Sequence, residues 1–271
     1  MPNRIALVTG ATDGLGRAVA GELAADGWTV LLHGRDEARG RAALEEIRGR
    51  TGNENLRLYL ADLASLDEVR ALTDSVLDAE RRLDVLVNNA GIGSDVPGGG
   101  ERMESADGHE LRFAVNYLAG YALTRRLLGL LRDSAPSRIV SVSSAGQMAI
   151  DFGDVMLEDG YNGTRAYCQS KLAQILFTFD LADELRGTGV TATCLHPATY
   201  MPTKMVTDGG ITPVSSLEQG VEATLRLIRD PELEGVSGVY FNGLREARAD
   251  DQAYDEDARR RLRELSERLV A

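Results

Sequence analysis

The chain has 271 residues, 43% of them hydrophobic and 27% charged, the balance of a soluble globular protein with room for one substantial α/β core. Acidic residues outnumber basic ones by 42 to 30, and a formal charge of -12 argues against a nucleic-acid surface. Two cysteines, Cys168 and Cys194, cannot build a disulfide framework or a cysteine-rich metal centre, and no metal site is expected.

In chain order, "MPNRIALVTG" runs straight into a strand without the n-region and h-region of a signal peptide. No apolar run reaches the roughly 18 residues of a membrane span. A cytoplasmic protein with no membrane partner is therefore expected. Strands are predicted at 4–8, 29–33, 56–60, 84–88, 138–142, 190–195 and 238–242, most of them continuous leucine and β-branched runs suited to burial on both faces. Helices are predicted at 14–25, 36–50, 65–81, 108–132, 165–187 and 217–230. This alternation predicts an α/β fold, a single Rossmann-type doubly wound domain of about seven parallel strands with helices on both faces. The domain spans 1–271, with a cofactor half over 1–135 and a catalytic and substrate half over 136–271. Three loops, at 91–100, 145–164 and 197–214, follow the carboxyl ends of strands, the edge where open α/β sheets bind ligands. The first, "GIGSDVPGGG", is rich in glycine and is expected to be mobile. The closing "YDEDARRRLRELSERLV" reads as an amphipathic helix whose charges form a solvated face.

Behind the first strand, "TGATDGLG" (9–16) opens the first helix. Glycines there permit a tight turn and close approach of a pyrophosphate, and the helix N-terminus supplies N–H groups. The strand before and the helix after complete the context of a dinucleotide site.

The spacing TGxxxGxG resembles the short-chain dehydrogenase/reductase family. "NNAG" (88–91), Asn116 in "FAVNYLAG", "VSS" (142–144) and "YCQSK" (167–171) carry the same resemblance, which covers residues 4 to 245. It implies dinucleotide contacts from Gly10, Thr12, Asp13, Gly14, Leu15, Gly16, Asn89, Ala90 and Gly91. It also implies contacts from Asp62 and Leu63 at the adenine, although a bare "DL" could equally be a helix cap. Pro197 and Thr199 would hold the nicotinamide carboxamide, Thr203 being the other candidate.

Cofactor choice is read at the end of the second strand. A carboxylate there would bond the ribose hydroxyls and repel a 2′-phosphate, whereas an arginine does the reverse. By the resemblance, the acid of NAD-using members falls on Gly34 and the basic residue of NADP-using members on Arg35. NADP(H) is therefore favoured, with NAD(H) possible. Asp36 is expected to cap the next helix. Asp13 departs from the pattern, since many NADP-preferring relatives are basic there.

A free tyrosine, with a pKa near 10, is a poor proton donor at neutral pH, and a fixed cation brings it toward the working range. In "GYNGTRAYCQSK" (160–171) two tyrosines precede a basic residue by four: Tyr161 before Arg165, and Tyr167 before Lys171. With Thr164 as N-cap, only Tyr167 and Lys171 fall well inside a helix and share a face. Of 30 basic residues, 28 are arginine, yet position 171 is one of two lysines. By the resemblance, Tyr167 is the general acid and base, Lys171 lowers its pKa and bonds the nicotinamide ribose, Ser144 polarises the reacting oxygen, and Asn116 interrupts helix hydrogen bonding and holds a water that links Lys171 to solvent. Alternation along the strand points only one of Ser143 and Ser144 into the cleft, and the family pattern selects Ser144.

The long interval from Ser144 to Tyr167, and "GVYFN" near the end, resemble the retinol-dehydrogenase-like branch. The N-terminal membrane anchor of retinol enzymes is not seen, and "HPATYMPTK" puts Pro197–Ala198 in place of proline–glycine. His196 reads as a strand-end residue. Gln147, Met148, Tyr200, Met201 and Met205 are candidates for a mainly hydrophobic small-molecule substrate. The expected activity is interconversion of a carbonyl and an alcohol. Reduction of an activated carbon–carbon double bond is the alternative, and a non-catalytic dinucleotide-binding regulator the third. A homodimer or homotetramer paired through the helices at 108–132 and 165–187 is expected.

Overall fold

The computed structural model describes residues 4–95 and 101–271, so the end of the loop expected to be mobile lies outside the described residues. One eight-stranded sheet runs in the order β3-β2-β1-β4-β5-β6-β7-β8. Its strands are β1 (Ile5–Val8), β2 (Thr29–Gly34), β3 (Leu56–Leu60), β4 (Val85–Asn88), β5 (Ser137–Val142), β6 (Val190–His196), β7 (Val239–Asn242) and the two-residue β8 (Arg245–Glu246). The seven predicted strands are parallel; β8 pairs antiparallel with β7. Chain order reverses between β1 and β4, which opens a crevice at their carboxyl ends.

Helices cover both faces. On one side α1 (Gly14–Ala25), α2 (Glu37–Thr51) and α7 (Leu217–Arg229) enclose a core with Val8, Val30, Val87 and Val140. On the other, α3 (Leu66–Ala79), α4 (Ala119–Asp133), α5 (Gly163–Glu184) and α8 (Glu256–Leu269) enclose Leu7, Leu31, Leu86 and Ile139. Neighbouring residues of each strand thus feed opposite cores, which is why the strands read as unbroken apolar runs. The short α6 (Lys204–Thr207) lies in the loop after β6.

Helix starts correct two expectations. Asp36 caps α2, its carboxylate accepting from the Arg39 N–H, as expected. The cap of α5 is Asn162, which accepts from Arg165 N–H, and not Thr164; an asparagine two residues upstream reaches the orphan donor and starts the helix earlier. Asp62 is not a cap either, because Ser65 takes that role for α3.

The predicted helix over 108–132 begins as a π-helical stretch, Phe113–Leu118, with the Ala119 N–H donating to the Ala114 carbonyl. Helix α5 is buried without interruption from Cys168 to Phe179. Its outer side carries α8, where Arg263 pairs with Asp180 (2.7 Å) and Arg259 with Asp183 (2.9 Å). The Tyr117 and Ser266 hydroxyls share a buried hydrogen bond of 2.6 Å. The terminal helix is therefore a packed layer and not merely a charged solvated one.

Candidate active site

The glycine loop after β1 is held from three sides. Thr9 Oγ1 accepts the Asn89 and Ala90 N–H groups (2.9 and 3.0 Å), and the Asn89 amide donates to the Thr9 carbonyl (2.8 Å). The Gly10 N–H donates to His33 Nδ1 (3.2 Å), whose Nε2 reaches the Ala61 carbonyl (3.1 Å). With Nδ1 accepting, the ring is neutral and its proton sits on Nε2. Gly10 has φ +65°, and a Cβ there would lie 3.0 Å from Ala90 Cα; a Cβ on Gly16 would overlap the Gly10 carbonyl and the Asn89 amide. Both glycines keep the strand tips close enough for exposed N–H groups to line a cradle. Leu15 is buried in the core beneath it, and Thr12 and Gly14 are partly exposed at its rim.

Asp13 caps α1, accepting from the Gly14 N–H (2.8 Å). Arg39 (3.0 Å) and Lys204 (3.2 Å) share its Oδ2, so two cations answer this one acid and help hold its carboxyl below the usual range against the raising effect of burial. Arg35 is largely exposed beside Asp62, with a closest approach of 3.9 Å. Asp62 also accepts from Ala64 N–H (2.9 Å), and Leu63 is buried under it. Gly34 could not hold an acid without displacement, because an added Cβ would collide with Thr12 Cγ2.

Asn116 lies inside the π-helical stretch, a geometry that frees side chains for special tasks. Its Oδ1 accepts from Ile92 N–H (2.8 Å), and its Nδ2 donates to the Ile92 carbonyl (3.2 Å) and to Ser170 Oγ (2.9 Å). A Cβ on Gly91 would stand 3.1 Å from Asn116 Oδ1 and 3.4 Å from Lys171 Nζ, so the loop lies close over the amine and a side chain there would press on the Asn116 amide.

Lys171 donates to the Val142 carbonyl (2.9 Å) and to Gln174 Oε1 (3.0 Å), and its Nζ lies 5.8 Å from the centre of the Tyr167 ring. Burial brings the amine down to about 7. Tyr167 was expected to be lowered; instead burial raises it, against the pull of a hydrogen bond with Ser144. Lys171, whose hydrogen bonds go to Val142 and Gln174, does not offset that burial. The two serines divide as alternation requires. Ser143 Oγ donates to the Lys171 carbonyl (2.7 Å), whereas Ser144 Oγ accepts from Gly146 N–H (3.0 Å) beside Tyr167.

Around the cleft the candidates separate. Met148, Tyr200 and Met205 are exposed, and Met205 lies against Gly93. Met201 is core instead, packed against Gly220 and Leu15, because the turn buries it. Gln147 faces protein at both ends, donating to the Ser144 carbonyl (3.0 Å) and accepting from Asp250 N–H (2.8 Å). Pro197 is buried at the end of β6, and Thr199 Oγ1 meets His196 Nε2 at 3.0 Å. Tyr200, with φ +47°, stands in the left-handed region that non-glycine residues seldom adopt. His33, Arg39 and Lys204 were missed by the sequence reading. Their signals were weak, since a strand-end histidine and two exposed cations acquire meaning only from what they touch.

The short chain dehydrogenase family model matches residues 4–210. This chain belongs to that family. Retinol dehydrogenase 14 of Homo sapiens is 40% identical over 297 residues, covering 100% of this chain and 87% of its own. A crystal structure of a Mycobacterium paratuberculosis protein, 31% identical, superposes with a TM-score of 0.79 over 98% of this chain and 93% of that one. A short chain dehydrogenase of Escherichia coli CFT073 complexed with NADPH is 26% identical, with a TM-score of 0.71 over 89% and 97%. The dehydrogenase is thus an oxidoreductase of the retinol-dehydrogenase-like branch, in a family that binds nicotinamide dinucleotides. Among the described residues, no helix is long and apolar enough to cross a membrane.

Proposed function

We propose that this dehydrogenase uses NADP(H) to interconvert a carbonyl and an alcohol on a mainly hydrophobic small molecule, with Tyr167 as general acid and base. The observation that carries the reading is the convergence of one phenol, one buried amine and one serine hydroxyl on the carboxyl edge of the sheet, beside the glycine cradle. The bound nicotinamide would supply or accept a hydride. Tyr167 passes a proton to the substrate oxygen in reduction and takes one in oxidation. Ser144 donates a hydrogen bond to that oxygen and stabilises the charge it gathers. Lys171 favours the phenolate whenever its amine is protonated, and Asn116 fixes the loop that closes over that amine.

Preference for NADP(H) is supported by the exposed Arg35, by the steric bar to an acid at Gly34, and by the two cations that answer Asp13. The NADPH-bound E. coli relative supports it too. A hydrophobic substrate is supported by Met148, Tyr200 and Met205 and by the relationship to retinol dehydrogenases. A panel of aldehydes and ketones, retinaldehyde included, tested with NADPH and NADH, checks substrate and cofactor together. Tyr167→Phe is expected to lower kcat by about 10²–10⁴-fold while NADPH affinity stays nearly constant. A variant that keeps full turnover would sink the mechanism.

A further inference from the structure

Tyr161 takes no part in this mechanism, and its hydroxyl does not meet Arg165. It donates to Glu110 Oε1 (2.9 Å) and accepts from Arg112 Nη1 (2.7 Å). Glu110 and Arg112 are both buried, 1% and 0% exposed, with 3.6 Å between their charged groups. Further Arg112 donors go to the loop after β4: Nε to the Gly93 carbonyl (2.9 Å) and Nη2 to the Ser94 carbonyl (2.6 Å). The second oxygen of Glu110 accepts from Phe113 N–H (2.7 Å), at the start of the π-helical stretch that carries Asn116.

Burying a guanidinium is costly unless its donors are used, and here they reach backbone and side chain in several directions at once. The cluster joins the loop at 91–95, the helix bearing Asn116, and the segment leading into the helix bearing Tyr167 and Lys171. From Arg112 a continuous set of contacts runs through Gly93 to Ile92, whose backbone Asn116 holds at both ends, and then to Gly91 against the Lys171 amine.

We propose that Arg112, held by Glu110 and Tyr161, is a positioning residue: its grip on the Gly93 and Ser94 carbonyls keeps Gly91 closed over Lys171. The catalytic meaning of this rests on the oxidoreductase reading above, but the placement of Lys171 can be measured without any substrate. Only two lysines occur, so labelling lysine Cε with carbon-13 gives two NMR signals, assigned with Lys204→Arg. The groups facing the Lys171 amine are Tyr167 on its own helix, His196 from β6, and the amide of Gln174. The double variant Glu110→Gln/Arg112→Gln leaves net charge unchanged.

Burial holds the Lys171 amine near 7. Loosening the loop admits water, so in the double variant the Lys171 midpoint is expected to rise by about one pH unit or more while the Lys204 signal titrates as in the unaltered protein. Should the double variant fail to fold, Tyr161→Phe keeps the ion pair and is expected to give a smaller rise in the same direction. A folded variant that loses thermal stability with the Lys171 midpoint unmoved overturns the inference. Because the titration needs no turnover, its failure is distinct from a failure of the proposed activity.

Discussion

At Lys171 two requirements conflict. In the proposed function the amine must sit in a dry place to reach a cofactor and act on Tyr167, and dryness takes away its charge near neutral pH. The fold answers with two acceptors, the Val142 carbonyl and Gln174, and with a glycine at 91 that sits close over the amine. A lysine suits this task better than an arginine because it can lose its proton. Arg35 presents the opposite case, a cation left in the open. Arg35→Ala is expected to raise KM for NADPH by roughly 10- to 100-fold, the equivalent of the 1.5–3 kcal/mol of a charge-assisted hydrogen bond, with little change for NADH. Initial-rate kinetics with both cofactors check this, and an unchanged ratio would exclude Arg35 as the discriminating residue.

At the scale of elements, the phosphate loop is set by its neighbour strand. His33, at the end of β2, ties Gly10 to Ala61 and is neutral, its pKa brought down by burial to about 4. Between pH 4 and the unfolded value of 6.5 the unfolded chain binds the extra proton, so stability rises with pH across that window and is fully present above it. The difference corresponds to about 3 kcal/mol. Urea unfolding from pH 4 to 7 is expected to show this slope, and His33→Gln should flatten it. A slope equally steep in the variant would place the titrating group elsewhere. The π-helical stretch is another property of an element. The resemblance implied that Asn116 would interrupt the helix; only the structure decided that the break takes the form of a π-helix, with Asn116 bonded to Ile92 across the cleft.

Over the whole molecule, α8 decides which surfaces are free. It lies along α5 through Arg259 and Arg263 and seals Tyr117 with Ser266. A dimer built on the side of α5 that carries α8 would have to displace two ion pairs and the neighbouring buried Tyr117–Ser266 hydrogen bond. We therefore expect a monomer of 29.3 kDa by light scattering. A dimer that persists after charge reversal at the exposed Arg125 would show pairing through another face.

The sequence by itself determined the seven parallel strands, the order of the helices, the glycine loop and the pairing of Tyr167 with Lys171. These rest on local spacing, on apolar runs for buried strands and on one helical turn between two side chains, which a chain carries in its own order. Only the tertiary structure decided what crosses between segments. Asp13 meets Arg39 and Lys204, Tyr161 leaves Arg165 for Glu110 and Arg112, Met201 turns inward, and α8 covers α5. Each joins residues distant in sequence, and burial and hydrogen bonding choose such partners only after the sheet has brought them together.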